Sequence, residues 1–141
     1  MYCDSAYFYE ASNSLEAFSN VRMEQGDTLF VYGQYLYYDG NTQIARLRDL
    51  VRMENRQVTL FTDSLNYERI PNIGYYFEGG MIVDSLNQLS SFYGQYSPAT
   101  KLAIFNDSVR LENPNFTLYS DTLHYNTESK ISTILGPSVI V

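Results

Sequence analysis

Apolar and polar residues alternate with a period of two in three short, related segments of the chain. They are Asn20-Val21-Arg22-Met23-Glu24, Leu50-Val51-Arg52-Met53-Glu54 and Ser108-Val109-Arg110-Leu111-Glu112. A period of two is typical of a β-strand with one face buried and one face in water. The pattern predicts that the apolar residues on either side of each arginine point inward, while the arginine and the following glutamate point outward.

A second motif lies about 15 residues before each of these segments. It reads apolar, aromatic, small, then Asp or Gln, and it closes on an apolar or aromatic residue. Five copies align without gaps, over residues 1–8, 31–38, 60–67, 92–99 and 118–125. The fourth copy departs from the others at Ser97-Pro98-Ala99, where the proline suggests an edge, bulge or bend. The first motif returns more weakly at Met81-Ile82-Val83-Asp84 and Ser138-Val139-Ile140-Val141.

The two motifs together predict five stacked units of about 30 residues, each a pair of strands. Turn-forming residues separate the strands at Gln25-Gly26-Asp27, Asp39-Gly40-Asn41, Glu54-Asn55-Arg56, Gly79-Gly80 and Asn113-Pro114-Asn115. Residues 14–18 could form one helical turn, but an irregular lead-in to a strand is favoured because the other copies are not helical there. The prediction is an all-β, repeat-built fold of about ten antiparallel strands.

Composition agrees with this prediction and narrows the class of protein. The 141 residues suit one domain, 1–141, and the 14 tyrosines and 8 phenylalanines favour strands. A net charge of -7 disfavours a nucleic-acid partner, and one cysteine allows no internal disulfide. No apolar run approaches the roughly 18 residues that span a bilayer. Because the chain starts and stops inside repeat units, we expect a domain excised from a longer chain, without its targeting segment.

The repeats resemble the OstA-like, or LptA-like, proteins of lipopolysaccharide transport. The resemblance lies in Leu60-Phe61-Thr62-Asp63-Ser64-Leu65-Asn66-Tyr67 and Leu118-Tyr119-Ser120-Asp121-Thr122-Leu123-His124-Tyr125, each followed by a strand like the first motif. It covers nearly the whole chain, and the Tyr- and Asn-rich style is similar to members of the Bacteroidetes type. The family's Gly-Asn-Val strand keeps its Asn-Val part only at Asn20-Val21.

The resemblance implies a half-open β-jelly roll, which is a folded sheet with an apolar trough. It implies that the acyl chains of lipopolysaccharide, or of a similar lipid, lie in the trough while the sugar stays outside. It also implies end-to-end joining through unpaired edge strands, to other Lpt-type β-jelly-roll proteins or to further copies of the chain, as a bridge across the periplasm. Such a protein is not an enzyme and needs no cofactor.

The recurring apolar and aromatic positions are the candidates for the interior of the trough. They are Val21, Met23, Leu36, Tyr38, Val51, Met53, Leu65, Tyr67, Ile82, Val109, Leu111, Leu123 and Tyr125. The residues alone favour an ordinary closed core, whereas the resemblance implies an open trough, and a bulge could reverse the facing of part of a strand.

The repeated charged residues have an ordinary explanation beside a functional one. Asp4, Asp63 and Asp121 recur, but Gln34 and Gln95 replace the acid in the alternate copies, which disfavours a metal site. A hydrogen bond to a turn or a neighbouring strand is the preferred interpretation. The repeated arginines could bind lipid phosphates, but the glutamates two residues later favour a salt-bridged face in water. The single histidine, His124, is expected on the solvent side.

Three hypotheses of function remain open from the sequence. The first is a non-enzymatic lipid carrier of the cell envelope. The second is an assembly module with a filled core that joins partners through its edges. The third is a glycan-active β-helix enzyme, which would need two carboxylates in a shared groove. No triad, phosphate-binding loop, dinucleotide motif or zinc spacing is present in the sequence.

Overall fold

The computed structural model describes residues 2–25, 28–56 and 58–140, and the strands in them form a single antiparallel sheet. In chain order the strands are β1 (Ser5–Tyr9), β2 (Ser14–Gln25), β3 (Leu29–Asp39), β4 (Ile44–Asn55), β5 (Val58–Glu68), β6 (Ile73–Tyr76), β7 (Gly80–Val83), β8 (Gln88–Ser91), β9 (Tyr93–Ser97), β10 (Leu102–Glu112), β11 (Thr117–Asn126) and β12 (Ile131–Ile140). The all-β prediction is confirmed, and residues 14–18 begin β2 rather than a helical turn.

The twelve strands correspond to ten long ones, because two of the long strands are interrupted. Only residues 77–79 separate β6 from β7, and only Phe92 separates β8 from β9. β5 pairs with β6 in one half and with β7 in the other. β10 pairs with β9 and β8 in the same manner. The predicted number of about ten strands therefore agrees with the architecture.

The sheet bends in the middle of its long strands, where the pairing registers shift. Shifts fall between Phe18 and Val21, between Arg48 and Val51, and between Asn106 and Val109. At each of these places two successive residues have positive φ angles, between 52° and 66°. Because bulges of this kind increase local twist and bend a strand, the repeated bulges fold the sheet along one line.

The bend divides the sheet into two walls that face each other. The first wall contains residues 5–9, 14–18, 35–39, 44–48, 64–68, 73–76, 93–97, 102–106, 122–126 and 131–135. The second wall contains residues 21–25, 29–32, 51–55, 58–62, 80–83, 88–91, 109–112, 117–120 and 138–140. One cluster of buried apolar side chains fills the space between them.

The predicted turns connect strands at the free edges of the walls. Residues 40–43 form the turn between β3 and β4, and residues 113–116 connect β10 to β11. Gly79 differs, because it lies at the bend with a φ of 101°, a conformation that favours glycine. Gly26 and Asp27 of the first predicted turn lie outside the described residues, as do Met1 and Val141 of the terminal motif copies.

The gapless alignment of the fourth motif copy is wrong at its end. Tyr67 and Tyr96 both pair with Gly74, while Tyr96 and Tyr125 both pair with Ala103. Tyr96 therefore occupies the position that Tyr67 and Tyr125 hold in their own copies. The gapless alignment assigned that position to Ala99, three residues later. The reason is the interruption at Phe92, after which β9 is short and Pro98 already lies in the following turn.

Candidate lipid-binding trough

The thirteen interior candidates all lie between the two walls. Eleven are buried, whereas Met23 and Tyr38 are half-buried and pack against the same cluster. The bulges shift the register of the strands without turning these residues to the outside. That these residues contact a lipid stays a prediction, because burial shows only where their side chains lie.

Aromatic and smaller residues alternate along the inner side of the first wall near its free edge. By strand register the row runs Phe8, Leu15, Tyr38, Ala45, Tyr67, Gly74, Tyr96, Ala103, Tyr125 and Ser132. A large ring beside a small neighbour is a way to fill a sheet face without voids or clashes. We call this row the tyrosine row.

Aliphatic residues form the matching row on the inner side of the second wall. They are Met23, Val31, Met53, Leu60, Ile82, Leu89, Leu111, Leu118 and Ile140. The two walls touch at the centre, since a Cβ atom added to Gly74 of the first wall would lie 2.9 Å from Met53 Sδ of the second. The centre of the trough is therefore filled by its own side chains.

Hydrogen bonds from the tyrosine row join the free edges of the two walls, along a line that we call the mouth. Asn55 Nδ2 donates to Tyr96 Oη at 3.1 Å. Tyr125 Oη donates to Asp84 Oδ2 at 2.5 Å and accepts from Asn87 Nδ2 at 2.9 Å. Each of these bonds connects a strand of the first wall to the end of a strand or a turn of the second. The mouth is closed by polar contacts at these positions.

Asp84 is the charged centre of this closure. Its side chain is only 1% exposed and lies 3.0 Å from Lys130 Nζ. Burial alone would raise the pKa of Asp84, but hydrogen bonds from Tyr125 and from the backbone N–H groups of Asn87 and Leu86, with Lys130, outweigh burial and lower the pKa. Burial and the bond to Asp84 together raise the pKa of Tyr125. Asp84 is thus held as a carboxylate and Tyr125 as a neutral donor.

The trough opens at the two ends of the sheet, where inward-facing apolar side chains are exposed. Phe8 of β1 pairs with Leu15 on the inner face and is 64% exposed. At the other end, Ile134 and Ile140 of β12 pair with the buried Leu123 and Leu118, and they are 37% and 66% exposed. Apolar side chains of the inner face therefore meet solvent at both ends of the trough.

The two end strands differ in length, and both are exposed along nearly all of their residues. Within the described residues, β1 and β12 each pair with one named strand, so each has a free edge. β1 has five residues, while β12 has ten, none of them charged. Unpaired edges of this kind are templates for pairing with a further strand.

Comparison with known proteins identifies the family. A model of the OstA-like protein family matches residues 1–134. The chain belongs to the OstA-like protein family. Among solved structures it is similar to LptH of Pseudomonas aeruginosa, the LptA homologous periplasmic component of the conserved lipopolysaccharide transport device, with a TM-score of 0.71 and 10% identity over 80% of this chain and 93% of that one. The comparison with curated proteins gave no match.

These findings confirm the family and the β-jelly-roll fold that the sequence predicted. In this OstA-like chain the predicted salt-bridged face is also present. Arg22 lies 2.7 Å from Glu24, Arg52 lies 2.7 Å from Glu54, and Arg110 pairs with Glu112. The three pairs lie on the outer side of the second wall, away from the trough.

The remaining polar candidates stay outside the trough of the OstA-like fold. Asp4 accepts a hydrogen bond from Asn20 Nδ2 at 3.0 Å, and Asp63 and Asp121 are exposed. Over residues 2–25, 28–56 and 58–140, no three His, Cys, Asp or Glu side chains come together to bind a metal. His124 is half-buried on the outer side. The same residues contain no helix that is long and apolar enough to cross a membrane.

Sequence reasoning missed several large side chains of the interior, notably Tyr76, Tyr96 and Phe105. Tyr76 and Tyr96 lie on the two interrupted strands, where the motif is displaced. A gapped alignment of the fourth copy would have found Tyr96. Tyr76 bonds Ser91 Oγ across the bend at 2.8 Å, and burial raises the pKa of Tyr76 to about 12.

Proposed function

We propose that this chain binds lipopolysaccharide, or a similar lipid, by its acyl chains in the trough and passes it along a bridge of β-jelly rolls in the periplasm. The observation that supports this most directly is the apolar interior that opens at both ends of the sheet, at Phe8 and at Ile134 and Ile140. The fold of LptH, a periplasmic component of a lipopolysaccharide transport device, supports the same function.

The physical mechanism is passive burial rather than chemistry. Each methylene group that leaves water contributes about 0.8 kcal/mol, so an acyl chain gains affinity from apolar area alone. Because side chains fill the centre of the trough, a lipid that passes through it must displace the tyrosine row and open the bonds at the mouth. The ends, whose inward side chains are already exposed, need no such opening and would bind the acyl chains first.

Site-specific photocrosslinking to purified lipopolysaccharide tests the proposal. A crosslinking residue at Phe8 or Ile134 points into the trough, whereas one at Tyr7 or Leu135 lies next to it on the same strand and points outward. We expect adducts at the two inward positions and few at the two outward ones. Equal labelling of both faces, or no labelling in a folded protein, would contradict the trough.

The filled centre favours a second candidate, an assembly module that uses only its edge strands. Leu65, Tyr67 and Tyr76 are 0% exposed between the walls. Such a module would join partners without binding a lipid. A fluorescent probe with an apolar tail separates the two candidates, because the lipid carrier binds the probe in its folded state and the assembly module does not.

A further inference from the structure

Aromatic rings surround a single carboxylate on the outer side of the first wall, next to the free edge of β1. The carboxylate is that of Glu16 on β2, which pairs with Tyr7 on one side and Tyr37 on the other. The Tyr7 and Phe18 rings are 5.9 Å apart, and the Phe18 and Tyr35 rings are 5.4 Å apart. We call the carboxylate and its rings the Glu16 cluster. The rings are Tyr7, Tyr9, Phe18, Tyr35 and Tyr37.

Two tyrosine hydroxyl groups hold the Glu16 carboxylate in place. Tyr9 Oη donates to Glu16 Oε1 at 2.5 Å, and Tyr35 Oη donates to Glu16 Oε2 at 2.7 Å. These two bonds lower the pKa of Glu16, and the bond to Glu16 is the main cause that raises the pKa of Tyr35 to about 12. The tyrosines therefore stay neutral and the carboxylate stays charged. Because a carboxylate accepts about four hydrogen bonds, it has room for further donors.

The charge of Glu16 is not offset within the described part of the chain. The three outer glutamates of the second wall each pair with an arginine, whereas Glu16 takes part in none of the ion pairs among the described residues. Arg46 lies on the same row but two strands away, with its guanidinium group 6.0 Å from the centre of the Tyr37 ring. A carboxylate among exposed aromatic rings attracts a cation through its charge and through the faces of the rings.

The sequence around the Glu16 cluster is acidic. Residues 1–21 contain Asp4, Glu10 and Glu16 but no lysine, arginine or histidine, although the chain has nine lysines and arginines in all. A surface of one sign attracts partners of the opposite sign and disfavours partners of its own sign. Charge complementarity therefore favours a basic partner at this end of the sheet.

The free edge of β1 indicates what kind of molecule carries the cation. Among the described strands β1 pairs with β2 alone, so its other side offers backbone groups to an extended segment. Tyr7 and Tyr9 lie on β1 and are 60% and 43% exposed, so an outward side chain of an added strand would lie beside their rings. Glu16 would be about two strand spacings, roughly 10 Å, from the added backbone. The side chains of arginine and glutamate together span that distance.

A second copy of the chain does not supply this cation. Its edge strands, β1 and β12, contain no charged residue. Lys130, which directly precedes β12, is already paired with Asp84. Copies that stack through these strands would leave Glu16 without a cation. The Glu16 cluster therefore fits an edge segment of a different protein.

We propose that the Glu16 cluster binds an arginine of a partner protein that adds an extended, basic segment to the edge of β1. Arginine suits the cluster better than lysine, because its planar guanidinium group stacks on aromatic rings and presents several N–H donors to one carboxylate. The inference deepens the proposed bridge, on whose edge pairing it rests, by giving the chemistry of the partner at β1. It does not depend on the binding of lipid.

Two short synthetic peptides test the proposal. Both alternate valine with threonine, and one central threonine is replaced by arginine in the first peptide and by uncharged citrulline in the second. We expect the folded protein to bind the arginine peptide about fivefold more tightly, as measured by fluorescence anisotropy. Glu16→Gln should abolish this preference, because it removes the charge and keeps the size of the side chain. Glu54→Gln is the matched control, since Glu54 also points outward but pairs with Arg52, and it should keep the preference.

Tyr7→Ser tests the aromatic part of the cluster. It removes an exposed ring beside the added strand and should reduce the preference for the arginine peptide without affecting the citrulline peptide as strongly. Equal weakening of both peptides would mean that the ring contributes only apolar surface, and the cation would then not be bound as proposed.

Other outcomes would overturn the proposal as well. Equal binding of the two peptides by the wild type would remove the cation site but leave the edge pairing of the bridge intact, whereas binding of neither would contradict both. Equal losses in Glu16→Gln and Glu54→Gln would indicate general attraction between an acidic protein and a basic peptide. Displacement of the peptide by an equal concentration of arginine amide would indicate a site for small cations. A dimer in sedimentation that excludes the arginine peptide would assign the edge to a second copy.

Discussion

The centre and the ends of the trough use the same inward-facing positions for different purposes. At the centre, Leu65, Tyr67 and Tyr76 are fully buried, and hydrogen bonds join the walls. At the ends, Phe8 and Ile140 occupy equivalent places on the inner face and are mostly exposed. The centre therefore stabilises the fold, while the ends present apolar surface that a lipid or a further strand can cover.

The contrast follows from strand position rather than from residue type. A strand in the middle of the sheet has a neighbour on both sides, and the opposite wall covers its inner side chains. An end strand lacks one neighbour and much of that cover. A fold built this way can be stable by itself and still offer apolar surface at both openings. The substitutions below test that division, beginning with the largest expected effect.

Leu65→Ala should lower the free energy of unfolding by about 2–5 kcal/mol, because it leaves a cavity in a closely packed core. Chemical denaturation with circular dichroism measures the change. The matched variant at an end is Ile140→Ala, which removes a side chain that is already mostly in water. A loss at Ile140 as large as that at Leu65 would mean that the end is also part of the core.

Gly94→Ala tests how closely the centre is filled. A Cβ atom at Gly94 would lie within 2.6 Å of Tyr76 Cε2, so the buried ring must move. Overpacking of this kind costs about 1–3 kcal/mol. Gly33→Ala is the control, since its nearest contact would be Leu47 Cδ2 at 3.4 Å, and it should change stability little. Thermal unfolding of the two variants should separate them clearly.

Tyr125→Phe should weaken the closure of the mouth by about 1–3 kcal/mol, because Asp84 loses its hydroxyl donor inside the protein. Tyr119→Phe removes a hydroxyl from an exposed ring and serves as the control. If the mouth opens to admit lipid, Tyr125→Phe should also speed uptake of an apolar fluorescent probe. Slower uptake with lower stability would show that Tyr125 contributes to binding instead.

The charge of Asp84 gives this closure a dependence on pH. In the folded state the pKa of Asp84 lies below its ordinary value of 3.8, so the carboxylate stabilises the fold above that value. The contribution is lost as the pH falls through the folded pKa. The wild-type protein should therefore lose more stability than Asp84→Asn between about pH 7 and about pH 3. If the wild type and Asp84→Asn lose the same stability as the pH falls, the pH dependence does not come from Asp84 or from its contacts with Lys130 and Tyr125.

The fold can be predicted well from the sequence because the same strand-forming motifs recur in five successive units. Alternation around Arg22, Arg52 and Arg110 predicts which side chains of those strands point inward, and the recurrence of Tyr67 and Tyr125 predicts that they lie in the interior. The interruption at Phe92 could not be predicted, since it depends on how β5 and β10 divide their pairing between two short strands. The bond from Tyr125 to Asp84 was also beyond the sequence, because it joins residues of different units across the mouth.

The smallest expected effect on stability is at the end strand β1. Phe8→Ser should change the free energy of unfolding by no more than about 0.5 kcal/mol, because the ring is 64% exposed. The same change removes apolar surface at the opening, so binding of lipopolysaccharide should weaken several-fold. Tyr7→Ser is the matched control, since Tyr7 is equally exposed but points outward, where it contacts Phe18. Binding measured by fluorescence titration should fall only in Phe8→Ser. If both variants bind as the wild type does, the opening at β1 is not where the acyl chains enter, and Ile134 and Ile140 at the opposite end become the positions to substitute.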